Sequence, residues 1–298
     1  MEFRDNARID QSRVRYGGGS GGGGRRPGRG VAVGGGLGGL VLLVLALVFG
    51  PQLGIDPTSM LGGDTGSGGQ PAGEVQGAPE CRTGADIDRD PECRWPAYVT
   101  AIDGYWEKEV QGYRKATTEL YSGGISTACG NANSQMGPFY CPGDQKVYID
   151  TEFVGLLLNQ LGAQGGNAAE AYIVAHEYGH HVQQLTGQMQ RGRQGSQKGA
   201  KSGSVRLELQ ADCYAGVWFH DTQQDPESVI ESVSKDDLNR ILDAARAVGD
   251  DHIQQQSMGE VVQEDWTHGS SEMRQRWLQK GFSTGDPAAC DTFATDNL

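Results

Sequence analysis

Apolar positions follow two different patterns along this chain. From Val31 to Gly50 they run without a charged residue, and Leu37 to Phe49 is almost wholly Leu, Val and Ala. Beyond Cys93 they recur instead at three- and four-residue spacing, the period of helices packed against a core. That period predicts a helix from Pro96, a residue suited to a first helical position, to about Gln111. Tyr98, Ile102, Tyr105 and Trp106 form its core stripe. Further helices are expected over 151–161, 167–186, 205–220, 235–256 and 271–280. Ser234 should cap the fourth of these, and Gly281 should stop the last. Residues 116–122 read as a strand. Phe139-Tyr140-Cys141 and Lys146–Asp150 read as two short strands about the turn Pro142-Gly143-Asp144-Gln145. The folded part is therefore mostly helical with a small sheet, and contains no internal repeat.

The unbroken apolar run changes the picture upstream. About 20 such residues cross a bilayer as one helix, so 31–50 is expected to be a transmembrane helix. Arg25, Arg26 and Arg29 precede it and Asp56 and Asp64 follow, which by the positive-inside rule puts the N-terminus in the cytoplasm and the body outside. A cleaved signal peptide is the alternative, disfavoured by the long preceding segment and the lack of an Ala-x-Ala site. Residues 1–30 are rich in Arg and Gly and read as a disordered tail; 51–80 read as a flexible stalk. The domain proper should occupy 81–298.

Charge is uneven. The 298-residue chain carries a net −13, whereas residues 1–30 carry seven Arg against Glu2, Asp5 and Asp10, or +4, leaving −17 for the remainder. So acidic a body argues against nucleic-acid binding. All six cysteines follow the apolar run, as suits an oxidising compartment. Six cysteines admit fifteen pairings. The expected set is Cys81–Cys93, Cys129–Cys141 and Cys213–Cys290; a cysteine metal site lacks the Cys-x-x-Cys spacing it would need.

Candidate chemistry centres on His176-Glu177-Tyr178-Gly179-His180 within the helix expected over 167–186. Asn167 with Glu170 reads as its capping box and Gly187 as its stop. Histidines four apart lie on one helical face and converge on one metal, and Glu177 can lean over the open coordination position. Core histidines with a salt-bridging Glu are the plainer alternative. A catalytic zinc needs a third protein ligand. Glu208 and Asp212 stand four apart among Leu207, Leu209, Ala211, Tyr214, Val217, Trp218 and Phe219. Glu208 is the expected ligand, with Asp212 accepting the far ring N–H of a ligand histidine; exchange of those two roles is the alternative.

His176-Glu177-x-x-His180 followed by Glu208-x-x-x-Asp212 resembles the zinc signature of the gluzincin peptidases. More closely, the chain resembles the bacterial "putative neutral zinc metallopeptidase" family, which joins an Arg-rich N-terminus and one membrane helix to such a domain. The matching stretches are Gly137–Asp150, the metal helix, Glu208–Trp218, Thr267–Arg274 and Gly285–Phe293. The resemblance implies an α+β zincin-like metallopeptidase domain in a bacterial inner membrane, single-pass, with the catalytic domain extracytoplasmic. It also implies that His268, in Thr267-His268-Gly269-Ser270-Ser271, stabilises an oxyanion, with a capping or surface histidine as the alternative. Arg274 is a weaker candidate, with a salt bridge as its plainer use. His181 points away from the metal face, and His220 and His252 have no metal-like setting. Tyr140 and Tyr148 could border a peptide groove, though packing suits each side chain better.

The function expected is zinc-dependent peptide hydrolysis, with Zn2+ activating a water and Glu177 acting as general base on an unidentified polypeptide substrate. A non-catalytic, membrane-tethered zinc-binding assembly protein is the alternative from another class, and an esterase or amidase using the same site is a third.

Overall fold

The computed structural model describes residues 1–17, 78–133 and 137–298. The apolar run 31–50 and residues 51–77 of the expected stalk lie outside the described residues. Among the described residues no helix is long and apolar enough to cross a membrane.

The N-terminal segment belongs to the domain. β1 (Glu2–Phe3) and β2 (Val14–Tyr16) both pair with strands far along the chain. The disorder expected over residues 1–30 is thus corrected for the first seventeen, and residues 18–30 lie outside the described residues. The composition of the first seventeen is polar, but Ile9 and Val14 enter the common core, and the sheets take up their backbone groups.

After Cys93 the chain forms α1 (Arg94–Glu109), whose buried Trp95, Tyr98, Ile102, Tyr105 and Trp106 make the expected stripe. β3 (Thr117–Tyr121) follows, then the hairpin β4 (Gly124–Thr127) and β5 (Gly130–Asn133), β6 (Phe139–Cys141) and β7 (Lys146–Asp150). The main sheet has the order β2-β3-β7-β6. Its first three strands are parallel, with Thr118 of β3 beside Val14 on one side and Val147 on the other. β6 runs antiparallel along one edge.

The helices α2 (Thr151–Gln160), α3 (Asn167–Leu185) and α4 (Gly203–Thr222) come next. β8 (Ile230–Ser232) pairs with β1. The chain continues through α5 (Lys235–Ala247), α6 (Asp250–Met258) and α7 (Ser271–Thr284). α3 lies beneath the sheet, joined to β3 by the Thr118–Tyr178 hydroxyl pair at 3.0 Å and to β6 by His181 Nδ1–Tyr140 Oη at 3.1 Å.

Three local expectations are corrected. Asn167 does not cap α3: Gly166, at φ 96°, stands at that position, and Glu170 turns to Arg94 Nε at 2.7 Å. The segment 235–256 is two helices, because Gly249 carries the chain past Ser271; a Cβ there would lie 2.4 Å from Ser271 N. α7 runs through Gly281 to Thr284, and Gly285, at φ 63°, ends it. The loop after Gly187 contains a short helix, Gln188–Gly192.

Gly281 serves another purpose. A Cβ on it would lie 2.0 Å from Cys213 O, and one on Gly216 would lie 2.2 Å from Leu278 O. α4 and α7 therefore meet backbone to backbone. On the other side of α4, a Cβ on Gly179 would stand 3.0 Å from Ala211 Cα. These glycines bring α3, α4 and α7 closer together than side chains allow, and the candidate site lies in that stack. All three expected disulfides are present, and Cys213–Cys290 fastens the tail to α4.

Candidate metal centre

α3 is apolar nearly all round and buried, so its polar groups must find partners inside. His176 and His180, one turn apart, face α4 where Gly179 admits it. Glu208 enters from α4. His176 Nε2 lies 3.1 Å from Glu208 Oε2 and His180 Nε2 3.4 Å from Glu208 Oε1. One ligand atom from each of the three residues lies within 4.8 Å of the others. Around a tetrahedral zinc with bonds near 2.0–2.1 Å, donor atoms stand about 3.3 Å apart. Two imidazoles and a carboxylate at these spacings fit a divalent metal of that size. They are the three residues expected as ligands.

The surroundings orient the ligands. Asp212, fully buried, accepts from His176 Nδ1 at 2.8 Å, so the Nε2 atom faces Glu208. The same carboxylate accepts from Tyr172 Oη at 2.6 Å and from Arg274 Nε and Nη2 at 2.8 and 2.9 Å. Arg274, from α7, also donates to Val248 O at 3.2 Å. Its two-pronged grip on Asp212 offsets the cost of burying that carboxylate. His180 Nδ1 rests 2.9 Å from Gln183 Oε1, while Gln183 Nε2 donates to Leu207 O and Gln210 Oε1. Both histidines therefore have an oxygen partner at the nitrogen away from Glu208.

The electrostatics are strongly coupled. Burial favours neutral His176, but the Asp212 charge and the hydrogen bonds to Asp212 and Glu208 prevail and hold its pKa up at about 10. His180 is raised against burial by Glu208. Burial would raise Glu208, yet the charges of His180 and His268 bring it well below the usual carboxylate range. A site that turns two imidazoles toward one buried carboxylate also suits a divalent cation, whose binding needs the coordinating nitrogens free of protons.

Glu177 is buried beside this cluster, and its charge acts on His180. His268 lies on the loop before α7, close enough for Glu208 to raise its pKa together with Asp250, against burial. Asp250 is a residue the sequence reading missed. Its Oδ2 accepts the backbone N–H groups of Thr267, His268 and Gly269 at 2.7, 2.7 and 3.0 Å, and its Oδ1 lies 3.3 Å from His268 Nδ1. No spacing rule links residues 250 and 268; the break at Gly249 brings them together. Gln183 was also missed, although its position three residues after His180 on one helix was a usable signal. Tyr140 and Tyr148 are engaged in packing: Tyr140 with His181, and Tyr148 stacked on Phe139 with its hydroxyl donating to Asp144 at 2.7 Å. His181 faces the sheet side, with Nε2 donating to Arg114 O.

The profile of the family described as "Putative neutral zinc metallopeptidase" matches residues 1–293. The chain belongs to that family. It is 46% identical over 254 residues to "Uncharacterized protein Rv2575" of Mycobacterium tuberculosis, covering 83% of this chain and 85% of the relative. It is 40% identical over 283 residues to "Uncharacterized protein YpfJ" of Escherichia coli, covering 92% and 93% respectively. No solved structure matches. The family match begins at residue 1, so it includes the N-terminal strands as well as α3 and α4.

Proposed function

We propose that this protein is a zinc-dependent endopeptidase working outside the cytoplasm, where three disulfides are stable. The observation that carries the reading is the convergence of His176, His180 and Glu208 next to Glu177. Binding a metal needs the first three residues only; the carboxylate after the first histidine serves chemistry.

When bound, zinc acidifies a water and polarises a substrate carbonyl. Glu177 takes a proton from the attacking water and delivers it to the leaving amine as the peptide C–N bond breaks. His268, held by Asp250, donates to the oxyanion that develops on the carbonyl. Asp212, steadied by Arg274 and Tyr172, keeps the proton of His176 on Nδ1. β6, on an edge of the sheet and packed over α3, offers a backbone ladder for an extended polypeptide.

Metal analysis of the purified protein, paired with hydrolysis of an unfolded polypeptide, tests this. The wild type should hold zinc and lose activity to a chelator. Glu177→Gln should keep the zinc and lose roughly 100- to 10,000-fold in turnover. A fully active Glu177→Gln variant would falsify the role of Glu177. Zinc-loaded wild type that cleaves neither peptide nor ester substrates would leave a binding or assembly protein instead.

A further inference from the structure

The first seventeen residues are stitched to the domain at every turn. Arg4 N donates to Val229 O at 2.8 Å and Ile9 N to Arg82 O at 2.9 Å, while Gly84 N donates to Ala7 O at 3.0 Å. Asp10 N meets Thr100 Oγ1 at 2.9 Å, and Cys81 N donates to Gln11 Oε1 at 2.8 Å, beside the Cys81–Cys93 disulfide. β2 then lies in register along β3, and Gly17 N reaches Leu120 O at 2.9 Å.

The domain is shaped to receive this segment. A Cβ on Gly84 would sit 2.3 Å from Arg4 O, so the N-terminal backbone passes where any larger residue would block it. Ile9 and Val14 fill the core, and Arg15 faces Glu119 at 3.8 Å. Residues 18–77 join two points on one domain, and within them lies the apolar run 31–50.

A single crossing of a bilayer would separate its two ends by an apolar layer about 30 Å thick. Hydrogen bonds of ordinary length cannot bridge that. An apolar run of about 20 residues is enough for one crossing and too short for two. A cytoplasmic N-terminus with the domain outside, which the flanking arginines favour, therefore excludes the docked arrangement.

We propose that residues 1–17 lie on the same side of the membrane as the metal-binding domain, docked on their own chain. The inference is independent of whether the site hydrolyses peptides.

Cysteine labelling of the full-length chain in spheroplasts tests it. The chain's own cysteines are all paired. Asn6→Cys reports on the exposed N-terminal segment and Val261→Cys on the exposed domain surface. With a membrane-impermeant maleimide, both should label to the same extent before permeabilisation. Labelling of Asn6→Cys only after permeabilisation, with Val261→Cys already labelled, would overturn the proposal.

A second variant reads docking directly. Glu2 and Ser232 are cross-strand partners, with Ser232 Oγ donating to Glu2 Oε2 at 3.2 Å. Glu2→Cys with Ser232→Cys should form a disulfide within one chain. After a protease cut between residues 18 and 77, the N-terminal fragment should stay attached until a reductant is added. Its release without reductant would equally overturn the proposal.

Discussion

The helical stack α3-α4-α7 and the docked N-terminal segment are held by different means. In the stack, glycines bring backbones into contact, and one buried arginine–aspartate pair joins α4 and α7 to His176 of α3. The N-terminal segment has two short strands, two buried aliphatic side chains and a series of main-chain hydrogen bonds to three separate parts of the domain. The stack depends on side-chain identity at a few positions. The segment depends mostly on backbone groups, which any sequence carries, together with a glycine in its partner. Chemistry concentrates in the first region because a metal centre needs side chains fixed by packing, whereas strand addition needs only a free edge and a matching path.

The sharpest way to break the contrast is to put a side chain where the stack has none. Gly281→Val forces a branched group into the Cys213 carbonyl, 2.0 Å from where its Cβ must stand. The expected loss exceeds about 4 kcal/mol, and urea titration followed by circular dichroism should find no cooperative transition of wild-type amplitude. A variant that unfolds like wild type would show that the α4–α7 contact can relax.

Next in size is Arg274→Met, which removes the partner of a fully buried carboxylate and leaves Asp212 with Tyr172 and His176 alone. Breaking such a pair costs about 3–5 kcal/mol, and metal affinity should drop roughly 10- to 100-fold as His176 loses its orientation. Denaturant unfolding gives the first figure and competition with a zinc chelator the second. Unchanged zinc affinity in a destabilised protein would confine Arg274 to stability.

The smallest effect is expected at the N-terminal segment. Ile9→Ala should cost about 2 kcal/mol, the low end for an aliphatic truncation, because Ile9 lies at the rim of the core. Zinc affinity should stay at the wild-type value. A large change in zinc binding would mean that the two regions are coupled, which their separate modes of attachment argue against.

Much of the metal centre was legible in the sequence. His176 and His180 share a face by helical period alone, and Glu208 and Asp212 repeat that four-residue spacing on a second apolar helix. The helices and most strands of 94–150 could be read the same way. Harder to read were glycines that act at a distance. Gly281 looks like a helix stop because glycine often follows a helix; its actual partner is Cys213, and nothing local distinguishes the two uses. Glu170 looks like half of a capping box because Arg94, which takes its carboxylate, lies 76 residues away. Asp250 carried no signal for the same reason.

By itself, the sequence determined which side chains could bind a metal, how they are spaced along two helices, and that all six cysteines follow the apolar run. These follow from helical period and donor chemistry, which are local. Only the tertiary structure decided that Asp212 would be shared by His176, Tyr172 and Arg274, that Asp250 would hold the loop of His268, and that the polar first residues would become strands. Each of those depends on where distant backbones meet, and a short polar strand becomes stable only when a neighbouring edge supplies its hydrogen bonds.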